Sequence, residues 1–175
     1  MSTHSMSNQQ KYRPNVAIVL CNDRAQVLWA RRVGHDGWQF PQGGVNEDES
    51  ILDAVYREMD EELGLKPTHV ELIAFTKKWL KYEIPRRYIR MSSRSTFKGQ
   101  KQKWFMFKFI GDESDFCLDC SDHPEFDEWK WVSYWTPADR VISFKRDVYR
   151  RALAEFEPYI DQIHSESRFA RPPAN

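Results

Sequence analysis

The chain has 175 residues, enough for one domain with a sizeable core. Lys+Arg and Asp+Glu both number 26, so net charge points to no class of partner. Three cysteines, an odd number, with no recognisable signal peptide point to a reducing cytoplasmic compartment, and the longest purely apolar run, Val16–Cys21, is far too short to span a bilayer.

Residues 1–11 are polar and read as disordered, residues 12–164 as a single domain, and residues 165–175, with Pro172 and Pro173, as a second disordered end. Tyr12–Asn15 leads into Val16–Cys21, a β-rich apolar run that predicts a buried strand. Asn22-Asp23 is a turn signal and Gln26–Arg32 a second strand. After a loop at His35-Asp36-Gly37, Trp38–Phe40 predicts a short strand leading through Pro41 to Gly43-Gly44. Val70–Thr76, Gln102–Ile110 and Glu128–Tyr134 read as further strands. Thr136–Val141 reads as a helical turn, and Asp147–Ile163 as a closing helix packed by Val148, Ala152, Phe156 and Ile160. Strands on either side of a central helix, then a closing helix, predict an α/β/α sandwich with a mixed sheet.

The central helix lies in Gly43–Leu65, GGVNEDESILDAVYREMDEELGL, which fits G-x5-E-x7-R-E-U-x-E-E-x-G-U with U a bulky aliphatic. A chance match in a chain this long is about one in ten million at average residue usage. Ser50 with Asp53 has the form of a capping box, Leu52, Val55, Met59 and Leu63 make a core stripe, and Gly64 stands where a left-handed residue ends a helix. Glu58, Glu61 and Glu62 fall within roughly a third of a turn on the flank of that stripe. Like charges at such spacing are unfavourable unless a cation joins them. All-oxygen ligation selects Mg²⁺, or Mn²⁺, over zinc. The glycines Gly43 and Gly44 would let the backbone approach a phosphate.

This pattern is the signature of the Nudix hydrolases, which the chain resembles. The segments YRPNVAIVL, WARR, WQFPQGG, GQKQKWF, PEFDEWKWVSYW and SFKRDVYRRAL extend the resemblance, from about Tyr12 to Phe156, to the bacterial RNA pyrophosphohydrolases of that superfamily. The resemblance implies a Nudix-type sandwich and removal of pyrophosphate or phosphate from 5′-tri- or diphosphorylated single-stranded RNA. DNA, membranes and organic cofactors have no part in it. The 5′-monophosphate left behind admits degradative ribonucleases. The family's metal carboxylates match Glu58, Glu61, Glu62 and the distant Glu125, and its RNA-contacting positions match Arg13, Arg32, Ile142, Phe144 and Lys145. Glu49 is expected to add a ligand or hold its loop, and Arg57 to orient a glutamate. The base is expected to be Glu58, otherwise Glu62 or Glu125. The alternative activity is hydrolysis of dinucleoside polyphosphates such as diadenosine tetraphosphate. Gly111–Asp122 matches no pattern of the family.

Three features stay open at the level of sequence. From Lys77 to Lys108 the basic residues are Lys77, Lys78, Lys81, Arg86, Arg87, Arg90, Arg94, Lys98, Lys101, Lys103 and Lys108 against the single acid Glu83, with Trp79, Tyr82, Tyr88, Phe97 and Trp104 interleaved. That suits either a single-stranded nucleic acid or a solvated surface whose aromatics are core. Phe144 is either a helix-start core residue or, with Arg32 and Ile142, a clamp for a base. Cys117, Cys120 and His123 offer three zinc ligands without an evident fourth, which leaves free thiols as the expectation.

Overall fold

The computed structural model describes residues 12–89 and 97–169. Residues 1–11, Arg90 and Arg94 lie outside that set. A mixed eight-stranded sheet forms the centre. Its axis is the parallel pair β1 (Tyr12–Cys21) and β7 (Gly99–Phe109), in register from Tyr12↔Gly99 to Cys21↔Lys108. Antiparallel to these run β2 (Gln26–Arg32) and β4 (Gln42–Gly44) on β1, and β5 (Val70–Phe75) and β6 (Leu80–Glu83) on β7. The two-residue β3 (Trp38–Gln39) and β8 (Phe126–Ser133) pair with β2.

Alternation along β1 sorts the core into two layers, because successive side chains point to opposite faces. Val16, Ile18 and Leu20, with Phe105 and Phe107 of β7, pack under α1 (Ile51–Leu63). Ala17, Val19 and Cys21, with Trp104 and Met106, pack under α2 (Thr136–Arg140) and α3 (Arg146–Phe169). Burial on both faces explains why Val16–Cys21 reads as one continuous apolar run. The expected α/β/α sandwich is the observed architecture.

The helix signals of α1 are realised at both ends. The Ser50 side chain accepts from the Asp53 backbone N–H at 3.0 Å, and Gly64 closes the helix at φ 71°. Val55, Met59 and Leu63 are fully buried, but Leu52, expected in the same stripe, is 45% exposed. It lies in the first turn of the helix. Two strands were not anticipated. β4 contains the Gly-Gly pair, which shows no side-chain alternation, and β6 is only four residues long. The closing helix runs to Phe169, past Ser165, where the polar end was expected to begin.

Cys117 and Cys120 are joined by a disulfide and so are not the free thiols expected, their Cα atoms standing 5.6 Å apart, a separation that suits such a bond. The same loop docks on the end of α1, since the Cys117 N–H donates to the Leu63 carbonyl at 2.8 Å.

Candidate active site

β4 and the loop after it run beside α1, so the backbone at Gly43-Gly44 faces Glu58 and Arg57 directly. A Cβ on Gly43 would strike the Glu58 carboxyl, and one on Gly44 would strike the Arg13 guanidinium. The bare Gly43 surface is thus filled by the Glu58 carboxyl, and the Gly44 surface by Arg13, where sequence suggested room for a phosphate. Arg57 organises the cluster. Its Nε and Nη2 donate to the two oxygens of Glu49 at 2.6 and 2.8 Å, and Nη2 also donates to the Gly44 carbonyl at 2.8 Å. Its Nη1 donates to Glu58 at 2.8 Å and to Glu61 at 3.2 Å. The Asn46 N–H adds a bond to Glu49 at 3.1 Å. Both oxygens of Glu49 are therefore engaged. They tie the loop to α1, and the Arg57 hydrogen bonds keep the Glu49 carboxyl below the usual range.

Glu58 and Glu62 are buried, whereas Glu61 is half-exposed beside Arg57. Burial raises the Glu58 carboxyl, with Arg57 opposing, and raises Glu62 well above the ordinary range, reinforced by Glu58 and Glu125. One Glu62 oxygen, Oε2, is buried without a hydrogen-bond partner. A buried acceptor left unpaired is costly, and an orphaned carboxylate oxygen beside a second buried carboxylate is the donor chemistry of a hard divalent cation. The residues fit such an ion. Among the described residues, however, no three of these glutamates draw their oxygens within 4.8 Å of one another, a spacing reached only by Cys117, Asp119 and Cys120.

A cleft of about 1080 Å³ opens on the α3 side and carries Glu125 in its wall. Arg32, Ile142, Phe144 and Lys145 all line it, although far apart in sequence. They meet because β2 ends where the turn before α3 begins. Arg32 lies 3.6 Å from Glu125. Lys145 is almost fully buried and donates to Gln39 at 3.3 Å. Burial first, and Arg32 second, push its ammonium down to about 8 against the pull of Glu125 and Glu62. Phe144 packs on the core and also faces the cleft, 6.0 Å from the Tyr82 ring and 5.3 Å from the Tyr88 ring.

Arg13 is exposed and does not line the cleft. Sequence reasoning missed a set of amides that reaches the cleft at Gln42. Gln42 accepts from Gln102, which also donates to the buried Asn15, at 3.0 and 2.9 Å. Tyr82 and Trp104, read as possible base-stacking groups, are buried, Trp104 fully, so Trp104 belongs to the core.

A mixed sandwich carrying Arg57 and its glutamates on one helix beside a Gly-Gly strand defines a family, and the NUDIX domain model matches residues 11–152. The chain belongs to the Nudix family, whose members generally use divalent metal ions. Within it, the chain is 54% identical over 155 residues to a protein of Hahella chejuensis named RNA pyrophosphohydrolase, covering 89% of this chain and 96% of that one. It is 55% identical over 150 residues to the protein of the same name from Acinetobacter baylyi, covering 86% and 90%. Among solved structures it is similar to the E. coli dihydroneopterin triphosphate pyrophosphohydrolase, with a TM-score of 0.65 at 20% identity over 82% of this chain and 98% of that one. A C. elegans Ap4A hydrolase aligns with a TM-score of 0.61 at 17% identity over 86% and 98%. At those identities the likeness is one of fold.

Proposed function

We propose that the chain is an RNA 5′-pyrophosphohydrolase of the cytoplasm. It converts 5′-tri- or diphosphorylated single-stranded RNA to the 5′-monophosphate and so opens transcripts to degradation. DNA is not its substrate. The observation that carries the reading is the shared cleft, where Lys145, Arg32 and Glu125 adjoin a surface of Phe144 and Ile142 broad enough for a base. Its relatives at more than half identity carry the name of that activity.

Mg²⁺, or Mn²⁺ in its place, is the cation assigned to Glu58, Glu61, Glu62 and Glu125. When bound, it neutralises the phosphate chain and lowers the pKa of a coordinated water. The chain's own groups do the rest. Arg57 fixes Glu58 through Nη1 while clamping Glu49 and the Gly44 carbonyl, so the carboxylate and its loop move together. Glu58 takes the proton of the attacking water. Lys145 and Arg32 present positive charge to the phosphates, and Arg32, Ile142 and Phe144 hold the base.

The test is turnover of triphosphorylated RNA beside diadenosine tetraphosphate at equal metal concentration. RNA should be the better substrate by kcat/KM. Phe144→Ala should raise KM for RNA by roughly tenfold, since stacking contributes about 1–3 kcal/mol per base. Turnover confined to the dinucleotide would reject the RNA assignment.

A further inference from the structure

Among the described residues of the basic stretch, strand register sets Lys81, Lys101 and Lys103 on one face of the sheet and Lys108 on the other. Lys81 pairs with Lys101, and Pro14 pairs with Lys101 from the other side. Paired residues share a face, so Tyr12, Lys81, Lys101 and Lys103 stand on the side where Val16, Phe105 and Phe107 pack under α1. Tyr82 and Gln100, their immediate neighbours in sequence, point to the opposite side and into the cleft. The core beneath α1 draws on β1 only from Val16 onward and on β7 only from Phe105 onward. Beyond it, the strand ends present cations seated on half-buried rings. Lys101 and Lys103 lie 4.9 and 5.7 Å from the centroid of Trp79, and Lys81 and Lys98 lie 5.1 and 5.2 Å from that of Tyr12. Glu83, the single acid in the sequence from Lys77 to Lys108, pairs with Lys98 at 3.0 Å. Phe75, 59% exposed beside Phe105, continues the aromatic surface.

We propose that this open end of the α1-side face binds the body of the RNA, downstream of the nucleotides held in the cleft. The proposal rests on the RNA reading above. Charge sets the class of ligand, since four lysines against one glutamate suit a polyanion. The rings select a polyanion with bases, because an exposed lysine–ring pair is weaker than base stacking and can give way to it. Topology gives the route. Among the described residues β6 pairs with β7 alone and forms the rim of the sheet at this end, so cleft and basic face lie on the two sides of one four-residue strand. A strand leaving Tyr82 and Tyr88 reaches Lys81 and Lys101 by passing over that rim.

The test compares two RNAs with the same triphosphorylated 5′ end, one of about three unpaired nucleotides and one of about twelve. Wild-type protein is set against Lys81→Gln/Lys101→Gln, with the charge-reversed Lys81→Glu/Lys101→Glu as a second variant and melting temperatures recorded for all. The wild type should show the lower KM for the longer RNA. The glutamine pair should raise that KM roughly tenfold and flatten its log–log salt slope by about 1.4, since each phosphate neutralised on a single strand adds about 0.7 to that slope. Charge reversal should raise it further, while the short RNA and the melting temperature stay unchanged. Turnover of both RNAs with equal KM and salt slope in wild type and variants would overturn this proposal alone and leave the face to an acidic protein segment. Turnover of neither RNA by the wild type would overturn the RNA reading and this proposal with it.

Discussion

Gly43 and Lys145 show how single residues tune the site. Gly43 is required by what lies above it, for its missing Cβ is the space occupied by the Glu58 carboxyl. Gly43→Ala should leave the fold intact, since strand backbone there tolerates alanine, yet displace Glu58 from its Arg57 hydrogen bond. A misplacement of about 1 Å costs roughly a hundredfold in rate, so kcat should fall by that order while circular dichroism is unchanged. Wild-type kcat in this variant would show that Glu58 has freedom the packing denies it. Lys145 sets a pH limit. Its ammonium is pushed down to about 8, so the charged form, to which the proposed function gives the grip on phosphate, is lost as pH rises through that value. The kcat/KM for RNA should decline above about pH 8, because that ratio reports the free enzyme. In Lys145→Arg the charge persists and the alkaline limb should move upward. An unmoved limb would assign it to another group.

At the scale of elements, α1 is held at its C-terminal end by more than its own cap. Gly64 has φ 71°, and a Cβ there would sit 2.9 Å from both the backbone N and O of Cys117. Backbone cannot yield as a flexible side chain can. Gly64→Ala should therefore cost at least the 1–2 kcal/mol of a non-glycine left-handed residue, a loss of roughly 2–8 °C in melting temperature for a chain of this size. Calorimetry on the purified variant measures it, and an unchanged transition would mean that the 117–120 loop moves freely. This helix was legible in sequence because cap, stripe, carboxylates and terminal glycine all follow the helical period. Leu52 misled because periodicity marks a face without saying which of its positions another element covers. The amides of Asn15, Gln42 and Gln102 were illegible, since a polar residue in a buried strand has no periodic signature and its partners come from other strands. The basic stretch was visible as composition, but its division between two faces depends on the β6–β7 register, which composition does not contain. Phe144 resisted a single assignment for a physical reason, as its ring is both core and cleft wall.

For the whole molecule, the sheet separates the parts of the reaction. α1 supplies buried carboxylates from one side, while Glu125, Lys145 and the cleft wall of Phe144 and Ile142 come from the other, so the proposed site exists only when both layers are packed. That arrangement couples stability to occupancy of the site. The Glu62 carboxyl is raised in the folded state by burial and then by Glu58 and Glu125. The native protein therefore holds this proton at pH values where the unfolded chain has released it. Across that window, from the ordinary carboxylate range upward, the folded state binds more protons and stability falls as pH rises. At neutral pH in the presence of a chelator, the charge on Glu62 thus works against folding. Glu62→Gln should raise the melting temperature under those conditions while lowering kcat by about a hundredfold or more. A divalent cation relieves the same charge in the wild type. At about a hundredfold over its Kd, Mg²⁺ should add about 2.7 kcal/mol, or roughly 5–10 °C for a chain of this size. The gain should shrink sharply in Glu62→Gln and vanish in Glu58→Gln/Glu62→Gln. Thermal melts with chelator or with Mg²⁺, on wild type and both variants, read this without any substrate. An equal Mg²⁺ increment in all three proteins would move the cation away from α1 and reject the assignment of Glu58 and Glu62 as its ligands.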